Sequence, residues 1–228
     1  MSASGNGTRR SPARTARRAV WLAAQAVRSG RARADDAFDR FLLPELREVS
    51  DRYWTPLPVV RRVASWLRDA EVRTVVDIGS GAGKFCIAGA LLTRCRFIGL
   101  EQRASLVASA RGLAEIFRVD DRVTFVNGRC GATTTPKGNA YYFFNPFGPY
   151  SFSSERFADP DVASTQETYR ADIAAATEFL SRAPRGTSVI TYNGFGGRMP
   201  STYERIDIDT SLPGALAWWR KHRMANDG

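Results

Sequence analysis

An acidic residue followed by three alternating glycines is the feature of this sequence best suited to ligand chemistry. An apolar run reaches Asp77, and Gly79, Gly81 and Gly83 follow before a stretch of small and apolar residues. Glycines at such a turn allow backbone dihedral angles that a Cβ forbids, so the backbone can approach a ligand closely. The spacing GxGxG differs from the GxGxxG of dinucleotide-binding proteins, and the carboxylate of Asp77 would repel a phosphate. The turn is therefore predicted to bind a ligand that carries a positive charge.

Two further polar positions follow the next two predicted strands. Glu101 ends the run "RFIGLE", and Asn127 and Gly128 end the run "RVTFVNG". The carboxyl ends of parallel strands meet at one edge of a sheet, where such folds bind their ligands. A carboxylate at Glu101 can accept hydrogen bonds from both hydroxyls of a ribose, and Asn127 and Gly128 are placed to approach an adenine. S-adenosylmethionine combines these features, because it has a sulfonium, a ribose diol and an α-ammonium that could donate to Asp77.

The run "FFNPFG" supplies the residues best suited to hold a methyl acceptor. Asn145 and the backbone carbonyl before Pro146 could accept hydrogen bonds from an amine, and Phe147 could provide a flat apolar wall. Methyl transfer is an in-line displacement at the sulfonium, so positioning the nucleophile matters more than an acid or base. The alternative interpretation of Asn145 and Pro146 is a turn that ends a strand.

Strand-like and helical patterns alternate from residue 71 onward, and these elements must position the residues named above. Five apolar runs are typical of strands covered on both faces, and the segments between them include helical spacing. Two runs near the C-terminus, "YERIDIDTSL" and "ALAWWRKH", are separated by a Pro-Gly pair and predict an antiparallel hairpin. The predicted fold class is α/β, with a doubly wound, mostly parallel seven-stranded sheet and a C-terminal antiparallel hairpin.

The positive charge of the chain is concentrated at the N-terminus. The net charge is +10, but residues 1–34 contain eight arginines and no acid, which leaves 25 basic and 23 acidic residues elsewhere. Such a composition rarely forms a packed core. We predict that residues 1–34 form a basic, disordered arm leading into a short helix, and that residues 35–228 form the folded domain. The alternatives are a transit peptide, a secretory signal, or an arm that binds an anionic partner.

Cysteine and histidine are too few and too scattered to indicate a metal site. The three cysteines show no CxxC spacing, and the one histidine lies near the C-terminus, so we predict neither a bound metal nor a disulfide framework. Free cysteines are typical of a reducing compartment, which favours a cytoplasmic protein. No run approaches the roughly 18 apolar residues that a membrane span needs. We therefore expect no membrane partner.

Four motifs, "DIGSGAGK", "FIGLE", "VNG" and "FFNPFG", resemble in order and spacing those of class I S-adenosylmethionine-dependent methyltransferases. The resemblance covers about residues 50–195. It implies a Rossmann-like fold, an active methyltransferase and S-adenosyl-L-methionine as the cofactor. The run "YWTP" resembles the "YTP" that precedes the cofactor strand in some amino-group methyltransferases. Together these comparisons predict cofactor binding by Thr55, Asp77, Gly79, Gly81, Gly83, Glu101, Asn127 and Gly128, and catalysis by Asn145, Pro146 and Phe147.

Two branches of that family resemble the acceptor motif. "NPF" is similar to the "NPP(F/Y)" of amino-group adenine and glutamine methyltransferases, but it lacks the second proline. It is also similar to the Asn-Asn-Phe of non-SET histone-lysine methyltransferases, except that Pro146 replaces the second asparagine. Both comparisons imply transfer to nitrogen. The near-neutral charge outside the N-terminus favours a protein side chain as the acceptor. The alternatives are an amino group of a nucleic acid, a small molecule as the acceptor, or a cofactor-binding relative that has lost catalysis.

Overall fold

The structure is a computed structural model that describes residues 12–30, 33–133, 135–147 and 165–222. This part of the chain contains a seven-stranded mixed sheet and eight helices. The strands are β1 (Thr74–Ile78), β2 (Arg96–Glu101), β3 (Val123–Asn127), β4 (Ala140–Phe144), β5 (Ser188–Tyr192), β6 (Tyr203–Asp209) and β7 (Leu216–Lys221). The helices are α1 (Pro12–Ser29), α2 (Ala34–Asp39), α3 (Pro44–Arg47), α4 (Ser50–Tyr53), α5 (Leu57–Asp69), α6 (Lys84–Leu92), α7 (Ala104–Phe117) and α8 (Gln166–Arg182).

Five parallel strands form most of the sheet, in the order β3, β2, β1, β4, β5. β1 lies between β2 and β4, so the strand order reverses there, and ligands of open parallel sheets bind at such a switch point. The predicted doubly wound, mostly parallel sheet with a C-terminal antiparallel hairpin is confirmed. β7 pairs antiparallel with both β5 and β6, so the second strand of the hairpin joins the parallel strands and β6 forms the edge.

The helix that follows the glycine turn is buried along almost its whole length. Eight of the nine residues of α6 are buried, and α1, α5 and α7 all contact this helix. A helix enclosed in this way must be apolar on all sides, which accounts for the run "FCIAGALL". The ring of Phe85 stacks on Tyr142 of β4 with centroids 3.7 Å apart. The start of α6, and with it the glycine turn, is therefore fixed against the centre of the sheet.

A buried lysine connects α6 to the short helices that precede the sheet. The Lys84 ammonium lies 2.7 Å from a carboxylate oxygen of Asp35 and 2.8 Å from one of Asp39, and it donates to the Ser50 hydroxyl at 3.2 Å. Asp35 also accepts a hydrogen bond of 3.0 Å from the backbone N–H of Leu57, at the start of α5. Burial raises the pKa of Asp39, and the attraction of Lys84 opposes that shift. One buried cation thus holds α2, α4 and α5 around the N-terminus of α6.

The N-terminal stretch packs against the domain more closely than its composition predicted. α1 contacts α2, α6 and α7, and its residues Ala23, Ala24 and Val27 are part of the hydrophobic core. The prediction of a disordered arm was wrong for residues 12–30, because small apolar residues on one face of α1 suffice to pack it against α6; residues 1–11 of the predicted arm lie outside the described part of the chain. None of the described helices is long and apolar enough to cross a bilayer.

We expect a charged residue on the buried face of α1 to destabilise the whole domain. Val27 is fully buried, whereas Leu22 on the same helix is 48% exposed. Val27→Asp should lower the free energy of unfolding by about 3 kcal/mol or more, because an unpaired carboxylate would lie in the core. Leu22→Asp is the matched control and should change it by less than about 1 kcal/mol. Urea denaturation gives both values, and equal stability of the two variants would show that α1 is not part of the folded unit.

Candidate active site

Two adjoining compartments lie at the carboxyl edge of the parallel strands. They share the walls formed by Gly79, Arg103 and Pro146, and their volumes, counted together with the space that is open to solvent, are about 340 Å³ and about 530 Å³. The first compartment is the smaller one, and its other lining residues are Ile78, Leu100, Glu101, Gln102, Gly128, Arg129, Cys130, Phe147 and Asp172. The second compartment is the larger one, and its other lining residues are Arg52, Tyr53, Trp54, Phe144 and Asn145.

The glycine turn after β1 packs directly against the turn that follows β4. Gly79 has φ 76°, and a Cβ at this position would lie only 2.5 Å from the Cβ of Pro146. At Gly81, with φ 53°, a Cβ would overlap the indole ring of Trp54. Two successive glycines of the motif are therefore required by close packing and by left-handed backbone angles. Gly83 caps the N-terminus of α6 and does not line either compartment.

Asp77 is a buried carboxylate with no cationic partner in the described part of the chain. It is 4% exposed, and its carboxylate accepts a hydrogen bond from the Cys86 thiol at 3.4 Å. Burial raises the pKa of Asp77 to about 7, the Cys86 hydrogen bond lowers it, and repulsion from Glu101 raises it further. Asp77 does not itself line either compartment, but the next two residues, Ile78 and Gly79, do. An uncompensated acid at this place is suited to a cationic ligand group.

Glu101 is the best-connected polar residue of the site. One carboxylate oxygen accepts the backbone N–H of Gly81 at 2.9 Å. The other accepts both the backbone N–H of Arg103 at 3.0 Å and its guanidinium Nε at 2.9 Å. Glu101 is 2% exposed and lines the first compartment. Arg103 was not among the predicted site residues, although its place two residues after Glu101, at the N-cap of α7, is a usable signal.

Two of the predicted cofactor-binding residues, Asn127 and Thr55, bond to neighbouring residues of the fold and line neither compartment. The side-chain amide of Asn127 donates to the backbone carbonyls of Glu101 and Gln102, at 3.1 and 2.9 Å, while its neighbour Gly128 lines the first compartment. Thr55 is buried, and its hydroxyl lies 3.0 Å from that of Tyr142. Close packing against β4 keeps Thr55 away from both compartments, and the residues before it in "YWTP" line the second one.

The predicted acceptor residues lie on a sharp turn after β4. Asn145 has φ 40°, its backbone N–H donates to the carbonyl of Gly194 at 3.1 Å, and its side chain is exposed at the second compartment. Pro146 lies between the two compartments. Phe147 lines the first compartment, not the second, because the chain turns at Asn145 and passes Gly79. The structure thus gathers Asn145 and Pro146 at the second compartment but places the predicted aromatic wall of Phe147 in the first.

Comparison with known proteins identifies the fold. No protein-family model matches the sequence, and no curated protein matches it either. Among solved structures, an RNA methyltransferase from Salinibacter ruber in complex with S-adenosyl-L-homocysteine is 21% identical, with 76% of this chain and 97% of that chain covered and a TM-score of 0.51. A mutant of MtNAS in complex with S-adenosylmethionine is 13% identical, with 92% and 74% covered and a TM-score of 0.50.

A third similar structure is TrmN from Thermus thermophilus. It is 14% identical, 76% of this chain is covered, the TM-score is 0.51, and the chain spans about half (53%) of TrmN. These similarities, together with the strand order and the glycine turn after β1, show that the chain has the class I methyltransferase fold. The predicted fold class is therefore confirmed at the level of the fold family.

The buried charge of Asp77 should make the free protein less stable as the pH rises. The pKa of Asp77 is about 7 in the folded protein and 3.8 in the unfolded chain. Between these two pH values the folded state therefore binds more protons than the unfolded state. The free energy of unfolding falls as the pH rises through this window. Asp77→Asn should therefore raise the free energy of unfolding at pH 8 by on the order of 2 kcal/mol and have little effect near pH 4.

The matched control is Asp120→Asn, which removes an exposed carboxylate and should leave the stability at both pH values nearly unchanged. Urea denaturation of the wild type and both variants at pH 4 and pH 8 measures the effect. A loss of stability at pH 8 in Asp77→Asn would show that the Asp77 charge is compensated in the folded protein.

Proposed function

We propose that the protein is an S-adenosylmethionine-dependent methyltransferase that transfers a methyl group to a nitrogen atom. The observation that carries this proposal is the contact of Gly79 with Pro146, since both residues line both compartments. A donor bound in the first compartment and an acceptor bound in the second would meet at this shared wall. Methyl transfer requires such an alignment of two ligands.

In this proposal the first compartment would hold the adenosyl part of the cofactor after one rearrangement. Glu101 would hold the ribose hydroxyls, Gly128 would lie beside the adenine, and Asp77 would attract the α-ammonium. A carboxylate has about four acceptor positions, and three at Glu101 already accept hydrogen bonds. A diol needs two positions, so the Nε hydrogen bond of Arg103 would be exchanged. When bound, the cofactor supplies an electrophilic methyl group on its sulfonium.

The second compartment supports an amine as the acceptor. The amide oxygen of Asn145 can accept an N–H of the amine and orient its lone pair toward the shared wall, and Pro146 has no N–H that could compete as a donor. Among the lining residues that the structure describes, there is no carboxylate or imidazole. A hydroxyl acceptor would need such a general base, whereas a neutral amine does not.

The class of acceptor molecule is a choice between two candidates. The near-neutral charge beyond residue 34 favours a protein side chain. The aromatic residues Tyr53, Trp54 and Phe144 in the second compartment favour the second candidate, an amino group on a nucleobase, because such rings stack on flat bases. Labelled methyl transfer from S-adenosylmethionine to cell extract, followed by separate digestion with proteases and nucleases, distinguishes them. A protein with no labelled product in any fraction would be a cofactor-binding relative without catalysis.

Glu101 should be essential for cofactor affinity. Glu101→Ala removes a buried carboxylate that accepts charged and neutral hydrogen bonds, and we expect the Kd for S-adenosylhomocysteine to rise roughly 10- to 100-fold. Glu101→Gln keeps the shape and should preserve folding better while still weakening binding. Glu115→Ala on the exposed face of α7 is the control and should bind normally. Calorimetry measures the affinities, and wild-type affinity in a folded Glu101 variant would remove this residue from the site.

Asn145 should affect turnover and not cofactor affinity. Asn145→Gly keeps the left-handed backbone and removes only the amide, so we expect kcat to fall by about 100-fold while the Kd for S-adenosylhomocysteine changes less than about threefold. Asn145→Asp restores an acceptor oxygen and should recover part of the rate. The measurement is transfer of labelled methyl to the acceptor found in the extract. Full turnover in Asn145→Gly, or label on an oxygen atom, would contradict the proposed role.

A further inference from the structure

The outward side of α1 carries four arginines around one tryptophan. Arg14, Arg17, Arg18, Trp21 and Arg28 are all exposed, and their spacing of three, four and seven positions places them on one side of the helix. Trp21 is 58% exposed. The helix itself contains no acid, and none of the ion pairs among the described residues involves Arg17 or Arg18. We call these five residues the basic face of α1.

The opposite side of α1 fixes the helix to the domain. Ala23, Ala24 and Val27 are buried in the hydrophobic core. The guanidinium of Arg61, on α5, donates hydrogen bonds to the backbone carbonyls of Val27 and Arg28, each at 2.9 Å. These bonds satisfy two carbonyls at the C-terminal end of α1, which have no partner within the helix. The basic face is therefore presented by an anchored helix that does not have to form when a partner binds.

Helix stability does not account for the arginines in the first half of α1. Arg14 lies on the first turn of the helix, and Arg17 and Arg18 follow on the second. Positive charge on the first turn opposes the helix dipole, and like charges three or four positions apart repel each other. The positive end of the dipole adds to the charge of the arginines. This end of α1 is therefore unfavourable in isolation and favourable for a bound anion.

The apolar residues on the outward side of α1 are too few to bind a membrane surface. An amphipathic helix that lies on a bilayer buries a broad apolar face in it. In α1 that face packs against the core, and Trp21 and Leu22 are its exposed large apolar residues. One aromatic ring among arginines is instead typical of surfaces that bind single-stranded nucleic acid. There the arginines contact the phosphates, and an unpaired base stacks on the ring.

We propose that the basic face of α1 binds a single strand of nucleic acid, with its arginines on the phosphates and Trp21 stacked on a base. With a rise of 1.5 Å per residue, Arg14 and Arg28 lie about 21 Å apart along the helix axis, which is long enough for several nucleotides. Phosphate contacts and stacking carry little sequence information, so binding should show little sequence preference. The basic face lines neither compartment, and this inference does not depend on the proposed function.

The test uses the full chain and a fluorescein-labelled oligouridylate of about 20 nucleotides, which exceeds the site size of one such surface. Fluorescence anisotropy measures the Kd at several salt concentrations. The charge variant combines Arg17→Gln and Arg18→Gln. Its matched control combines Arg182→Gln and Arg185→Gln, which removes two exposed arginines at the end of α8 and just beyond it. The control suits the purpose because the buried residues of α8 belong to a different core cluster from those of α1.

The charge variant should lower both the affinity and its salt dependence. We expect the Kd for the oligouridylate to rise roughly tenfold near 0.1 M salt. The slope of log Kd against log salt concentration should fall by about 1.4, because each phosphate contact to a single strand contributes about 0.7. The control at Arg182 and Arg185 should match the wild type in both quantities.

Trp21 should affect the affinity and not the salt dependence. Trp21→Leu keeps an apolar side chain and removes the flat ring, so the Kd should rise about fivefold or more with an unchanged salt slope. Trp21→Phe keeps a stacking ring and should retain most of the affinity. An oligothymidylate of the same length should bind within a few-fold of the oligouridylate, since stacking and phosphate contacts do not require a 2′-hydroxyl.

The proposal is wrong if the wild type does not bind the oligouridylate, or if the control pair loses as much affinity as the α1 pair. It is also wrong if Trp21→Leu binds as the wild type does, since the face would then attract any polyanion. Loss of binding to phosphatidylserine vesicles, but not to the oligouridylate, in the α1 variants would replace it with a membrane surface. The affinity for S-adenosylhomocysteine should be unchanged in every variant. A wild type without that affinity would overturn the proposed function and leave the basic face of α1 unaffected.

Discussion

The buried carboxylate of Glu101 is the interaction on which the site depends. Its two oxygens fix the glycine turn after β1 and the N-cap residue of α7, and its backbone carbonyl accepts hydrogen bonds from Asn127, at the end of β3, and from Gly128. Three loops at the carboxyl edge of the sheet are therefore tied to one residue at the end of β2. A carboxylate this deeply buried is tolerated only when fully hydrogen-bonded, and Arg103 compensates its charge.

The second organising contact is the ion pair of Lys84 with Asp35 and Asp39. Removing one member would leave unpaired charge in the interior, so the lysine, the acids and Ser50 act as a unit. Their effect extends to the site, because Ser50 begins the helix that carries Arg52 and Tyr53 to the second compartment. The N-terminal helices are in this way part of the architecture of the site, and α1 completes the packing around α6.

The close approach of Gly79 and Pro146 gives the two compartments a common wall. Under the proposed function, such an arrangement would limit the distance between two ligands without any residue that must gain or lose a proton. Asp77 lies two residues before this wall, and burial raises the pKa of its carboxyl to about 7, so its charged form is disfavoured in the free protein. The charge differs between compartments because Glu101 and Asp172 line only the first, where each binds an arginine.

The sequence by itself determined the order of strands and helices from β1 onward, the antiparallel hairpin, and the placement of Gly79, Glu101, Gly128 and Asn145 at one edge of the sheet. These features follow from local periodicity and from the rule that parallel strands end together. Only the tertiary structure decided that α1 joins the core, that Lys84 faces Asp35 and Asp39, that Thr55 packs against Tyr142, and that Phe147 faces the first compartment. Each of these contacts joins residues that are far apart in the sequence. Such residues become neighbours only when apolar faces are buried and buried charges form ion pairs, and the spacing of residues along the chain does not show which ones will meet.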